Sequence, residues 1–111
     1  MGEGGGPRMT IPTRFVLEAF LADPVREMYG LELCEECGLA SGTIHPILAR
    51  LEGLGWLESA WEDGDPQSAG RPARRYYRLT ALGARDARVE LARARATRVR
   101  SPRLRPAGGT A

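Results

Sequence analysis

The stretch SGTIHPILARLEGLGWLESAWED, Ser41 to Asp63, changes its periodicity halfway along, and that change decides the architecture. Ile44, Ile47, Leu48, Leu51 and Leu54 form one stripe at helical spacing, behind a Ser41 that can cap the helix and ahead of Gly53 or Gly55, either of which can end it. From Trp56 to Trp61 the pattern becomes that of a short strand rich in aromatic residues. Arg74 to Leu79 reads as a second strand. The segment between them, Glu62 to Ala73, carries Gly64, Pro66, Gly70 and Pro72, so it forms the long polar tip of a hairpin.

Upstream, Ile11, Phe15, Val16 and Phe20 recur at near-helical spacing until Pro24 stops the run, which predicts a first helix from Pro12. A second, shorter helix fits Tyr29 to Cys37, with Leu33 and Cys37 on one face and Gly38 as its left-handed stop. Cys34 is small, one turn before Gly38, where two crossing helices need close approach. Leu39, Ile44 and Ile47 supply an apolar wedge. A short helix, a glycine turn and a longer helix make a helix-turn-helix, and the hairpin after it makes the winged variant. Thr80 caps a last helix running to about Val99. The expected fold is α+β, a winged helix-turn-helix of three helices plus a two-stranded wing, with a C-terminal helix. Residues 1–10, rich in glycine, are expected as a disordered extension, 11–80 as the winged-helix domain, 81–99 as the C-terminal helix and 100–111 as a basic, frayed tail.

A length of 111 residues leaves room for one domain. Of the 30 large apolar side chains, 24 lie between Ile11 and Leu82, which places the core there. No apolar run approaches the roughly 20 residues of a membrane span, and the expected address is the cytoplasm. Charge is unevenly placed. Residues 1–69 hold four arginines and 12 acids, a net −8, whereas residues 70–111 hold 12 arginines and two acids, a net +10. A basic C-terminal third on a small domain is an electrostatic footprint for a polyanion, most commonly nucleic acid.

With Ile44, Ile47 and Leu48 turned inward, Ser41, Thr43 and His45 face a major groove from the start of the third helix. On the wing, Arg71, Arg74 and Arg78 can straddle the sugar-phosphate backbone. Strand alternation puts Arg74, Tyr76 and Arg78 on one face, and Arg75, Tyr77 and Leu79 on the other, against the core. The competing reading of these arginines is a solvated hairpin with ion pairs to Glu58 or Glu62. Cys34 and Cys37 form a CxxC. Zinc would need four ligands, and His45 is the only further nitrogen or sulfur ligand in the chain. Half-buried structural thiols are the plainer expectation, with redox sensing as the alternative. No nucleophile is paired with His45 by motif and no phosphate-binding glycine fingerprint follows a strand, so no enzyme, cofactor or metal is expected.

The runs Ser41–Asp63 and Gly70–Gly83 together resemble the PadR family of bacterial winged-helix transcriptional regulators, and Met28 to Leu39 resembles that family's second helix with its Tyr-Gly pair. Thr43 and Pro46 match the family's Gly-Thr-Leu-Tyr-Pro signature, with Ile44 in the Leu position. His45 stands where tyrosine is usual, replacing a phenol with an imidazole. Arg50, Leu51 and Glu52 match the following Arg-Leu-Glu; Gly70, Arg71 and Pro72 match the wing's Gly-Arg-Pro; Tyr77, Leu79 and Thr80 match the strand into the last helix. The resemblance implies a sequence-specific homodimeric repressor of double-stranded DNA, with the last helix in the dimer interface. Leu82, Val89, Ala92, Ala96 and Val99 fall close to a heptad seam, with Phe15 and Phe20 of the first helix as further contributors, and the same pattern also fits a solvated helix of alanine and arginine. Arg98, Arg100, Arg103 and Arg105 can add nonspecific phosphate contacts or simply remain solvated. Some family members bind aromatic molecules at the dimer interface, so a small-molecule effector is allowed, with Trp56 or Trp61 lining its cavity or, more simply, packing in the core. The alternative function is a winged-helix protein-interaction module that does not bind DNA.

Overall fold

A computed structural model describes residues 7–100, with side chains to residue 97. Its elements run α1 (Ile11–Ala22), β1 (Met28–Tyr29), α2 (Gly30–Cys37), α3 (Ser41–Gly53), β2 (Leu57–Trp61), α4 (Pro66–Ala69), β3 (Arg75–Leu79) and α5 (Ala81–Arg100). This is the expected α+β winged helix with a C-terminal helix. Residues 1–6 and 101–111, which include most of the expected N-terminal extension and the basic tail with Arg103 and Arg105, lie outside the described residues, as do the side chains of Arg98, Val99 and Arg100.

Helix α1 starts on Thr10, whose hydroxyl oxygen accepts from the Thr13 N–H at 3.3 Å. Pro7 is buried and Met9 packs against the core, so the ordered chain reaches back into the stretch expected as an extension. The inward face of α1 is Thr13, Val16, Leu17 and Phe20, the i, i+3, i+4, i+7 set of an amphipathic helix. Helix α2 stops at Gly38, where φ is +68°, a conformation that favours glycine; the Gly38 and Leu39 N–H groups both donate to the Cys34 carbonyl, at 2.9 and 3.1 Å. Helix α3 buries Ile44, Ile47, Leu48 and Leu51 as its spacing requires. Its cap differs from expectation. Ala40 is the N-cap, with Thr43 and Ile44 donating to the Ala40 carbonyl, and Ser41 is the first helical residue.

The sheet has three strands in the order β1-β3-β2, all antiparallel, where two were expected. β1 is only two residues, Met28 opposite Tyr77 and Tyr29 opposite Tyr76, so no alternation announces it in sequence; the expected second helix accordingly begins one residue late, at Gly30. β2 and β3 pair from Leu57–Leu79 out to Trp61–Arg75. The tip of the hairpin is not wholly irregular. Asp65 caps the short helix α4 by accepting from the Gln67 N–H at 3.0 Å, Pro66 opens it and Gly70 closes it at φ +72°.

Helix α5 is bolted to the start of β2. The Thr80 hydroxyl donates to the Gly55 carbonyl at 2.7 Å and accepts from the Gly83 N–H at 2.9 Å, while the Thr80 N–H donates to the Trp56 carbonyl at 3.0 Å. Ala87 and Leu91 then enter the core beside α1. Phe20, expected to help an interface between copies, is instead a core residue, whereas Phe15 is 44% exposed. Among the described residues no helix is long and apolar enough to cross a membrane.

Candidate nucleic-acid interface

Burying Ile44, Ile47 and Leu48 turns the other side of α3 to solvent, and Ser41, Thr43 and His45 are all exposed there. Pro46 sits in the second turn, where it lacks the donor that would reach the Gly42 carbonyl, so one hydrogen bond is lost near the helix start. The imidazole of His45 folds back over α2. A Cβ built on Gly30 would lie 2.9 Å from His45 Cε1 and 3.4 Å from Nε2. Arg50 is exposed, and Glu52 serves structure: its carboxylate accepts from the Ser59 hydroxyl at 2.5 Å and pairs with Arg75 at 3.6 Å, tying α3 to both strands of the wing.

The wing arginines divide by partner. Arg71 makes a two-pronged bond to Glu62, with Nη2 to Oε2 at 3.1 Å, and the same carboxylate accepts from the Arg74 backbone N–H at 2.8 Å. Glu62 therefore closes the loop from both sides. The Arg71 guanidinium first, and the Arg74 N–H second, hold its pKa down from the usual 4.5 to about 2. Arg78 bonds Glu58 through Nη2 at 2.6 Å and lies 3.7 Å from Glu27. Its pKa is raised, chiefly by the hydrogen bond to Glu58. Arg74 alone of the three candidates has no carboxylate in ion-pair range of its guanidinium among the described residues; it lies 4.2 Å over the Tyr29 ring, which meets Tyr76 edge-on at 5.5 Å. The hairpin ion pairs to Glu58 and Glu62 are thus present, as the competing reading expected, whereas the Tyr29 ring beneath Arg74 was not anticipated. No sequence signal marked Tyr29, because the two-residue strand that sets it beside Tyr76 has no visible period.

Trp56 is buried at the base of the sheet, as a core residue should be. Trp61 is not in the core: it is 61% exposed, with the Arg75 guanidinium 5.2 Å from its ring centre. Two concavities of about 300 and 230 Å³ flank the wing, and neither is lined by a tryptophan. Cys34 and Cys37 are half-buried free thiols, and burial pushes the Cys37 pKa up, with Glu36 and Cys34 adding to it. That lowers the thiolate fraction on which redox sensing depends.

An exposed helix after a glycine turn, beside a hairpin that carries arginines, defines a winged helix-turn-helix of the kind found in transcriptional regulators. The chain belongs to the transcriptional regulator PadR-like family, whose model matches residues 19–89, and it is therefore a regulator and not an enzyme. That is the family its Ser41–Asp63 and Gly70–Gly83 motifs resemble. No curated protein matches the chain. Among solved structures, it is similar to a PadR family transcriptional regulator from Eggerthella lenta, with 26% identity, 80% of each chain covered and a TM-score of 0.61. A PadR family regulator from Clostridium difficile is similar at 23% identity, with 78% of this chain and 91% of that chain covered and a TM-score of 0.60; this likeness bears on fold. The PcaV transcriptional regulator from Streptomyces coelicolor is similar at 29% identity, with 83% of this chain covered, 62% of that chain and a TM-score of 0.62.

Proposed function

We propose that this regulator is a homodimeric repressor that binds double-stranded DNA sequence-specifically, placing α3 of each copy in successive major grooves and the wings against the flanking backbone. The observation that carries the reading is the exposed N-terminal side of α3, with Ser41, Thr43 and His45 on it, beside an Arg74 whose guanidinium is held on Tyr29. Ser41, Thr43 and His45 offer donors and acceptors to base edges or phosphates. Arg71 and Arg78 would contact phosphate only by sharing or exchanging their carboxylate partners. Dimerisation is supported by an outward stripe on α5, where Leu82 is 41% and Val89 49% exposed and Ala92 and Ala96 are exposed, with Phe15 of α1 also turned out.

The engagement of Arg71, Arg75 and Arg78 by Glu62, Glu52 and Glu58 is the observation that favours the rival, a protein-interaction module, since it leaves the wing less basic than its composition. Mobility shift with the duplex upstream of the chain's own gene separates the two. A retarded band that weakens steeply with salt is expected. Absence of a shift at low salt would favour the rival. Thr43→Ala is expected to alter preference among duplexes, whereas a uniform loss would make Thr43 a positioning contact.

A further inference from the structure

Among the glycines of the helix-turn-helix, Gly30 is the one whose missing side chain is explained by a neighbour. Its φ is not among the positive ones, so its backbone would accept any residue. What it provides is space. The His45 imidazole lies across its bare Cα, close enough that a methyl group there would sit 2.9 Å from Cε1, inside any ordinary contact. This seat is firm. Gly30 is the first residue of α2, and the preceding Tyr29 is paired with Tyr76 across β1 and β3, while its N–H donates to Glu32 Oε1 at 3.2 Å. The imidazole is thus parked on backbone that the sheet and the helix start both hold.

We infer that Gly30 is a specificity-determining position: it acts as the seat that aims His45, and so sets which base edge or phosphate the imidazole meets. The inference rests on the DNA-binding reading above. Filling the seat with a methyl group need not disturb the fold, because alanine forms helix better than glycine and the crowded atom is the end of an exposed side chain that can swing away. The displaced ring then points elsewhere on an otherwise unchanged α3. Gly30 is a positioning residue; it is not proposed to touch DNA.

The test is a double-mutant cycle on the full chain. A duplex is first selected by the wild-type protein from a random-sequence pool. Its affinity, and that of its single-base variants, is then measured for wild type, Gly30→Ala, His45→Ala and the double variant, beside their melting temperatures. Gly30→Ala is expected to melt no lower than wild type, to bind the selected duplex about tenfold more weakly, within the range one base contact supplies, and to change the preferred base at one position. In the His45→Ala background the same substitution is expected to change affinity less than about twofold. Unchanged affinity and preference in Gly30→Ala would overturn the inference, as would an equal loss in both backgrounds or a loss that follows a lowered melting temperature. Failure of the wild type to enrich any duplex would instead bring down the DNA-binding reading, and the inference with it.

Discussion

Glu62 holds the wing tip closed by accepting from Arg71 and from the Arg74 backbone, and its depressed pKa gives that closure a pH signature. A carboxylate whose folded pKa lies below its unfolded value contributes stability that is fully present above the unfolded pKa and is lost as pH falls through the folded one. The wing clamp is therefore expected to hold above pH 4.5 and to release as pH falls toward about 2. The exposed Trp61, adjacent to Glu62, reports it: its fluorescence should change across that window in wild type and not in Glu62→Gln, whereas the same acid transition in both would contradict the clamp. The two arginines near it are expected to behave differently. Arg74→Ala should weaken binding to all duplexes and reduce the salt slope by about one unit, as a lost phosphate contact does. Arg71→Ala should move the Trp61 transition to higher pH, since Glu62 keeps only the Arg74 N–H; a variant whose transition stayed at the wild-type pH would assign the low pKa to another group.

The elements were legible in sequence where a long apolar period met a clear stop. Helix α3 follows from Ile44, Ile47, Leu48 and Leu51, and β2 and β3 each begin one residue later than their aromatic runs suggest. β1 was hidden because two residues cannot display a period of two. The short helix α4 was missed although Asp65 and Pro66 are a cap and a first-turn residue, because Gly64 and Gly70 on either side read as turn. The cap of α3 was misplaced because a serine at a helix start is a stronger signal than the alanine before it, yet Ala40 takes the extended conformation that the cap position requires. For the candidate site, residue types were legible, and so were Glu58 and Glu62 as acids within reach of the wing arginines; which arginine takes which acid was not, because the hairpin register decides it. How α5 docks was equally hidden. A Cβ on Gly83 would lie 2.1 Å from the Trp56 carbonyl oxygen, a contact with rigid backbone. Gly83→Ala is therefore expected to cost about 3 kcal/mol or more of stability, since the helix must lift off its seat. A denaturant midpoint equal to wild type would show that α5 does not dock there.

At the scale of the whole molecule, the electrical polarity of the sequence is folded away in part among the described residues. Acids of the first two-thirds, Glu18, Glu52, Glu58 and Glu62, meet Arg95, Arg75, Arg78 and Arg71 of the last third. Exposed pairs of this kind add little stability, because solvent screens the charges and both side chains lose freedom, so their larger effect is on what the arginines are free to do. Each phosphate contact made by Arg78 competes with Glu58, and Glu58→Gln is expected to raise affinity for unrelated duplexes; an unchanged affinity would show that Arg78 stays off the DNA. In the proposed dimer a second copy covers the exposed stripe of α5, and Val89→Arg is then expected to shift sedimentation toward the monomer. If the variant sediments as wild type does, the copies meet elsewhere. The most direct measurement is capture of sheared host genomic DNA by the purified wild-type chain at low salt, with the retained fragments sequenced. A small set of fragments sharing an inverted repeat is expected, one half-site for each copy of α3. Retention of no fragment above background would contradict DNA binding itself.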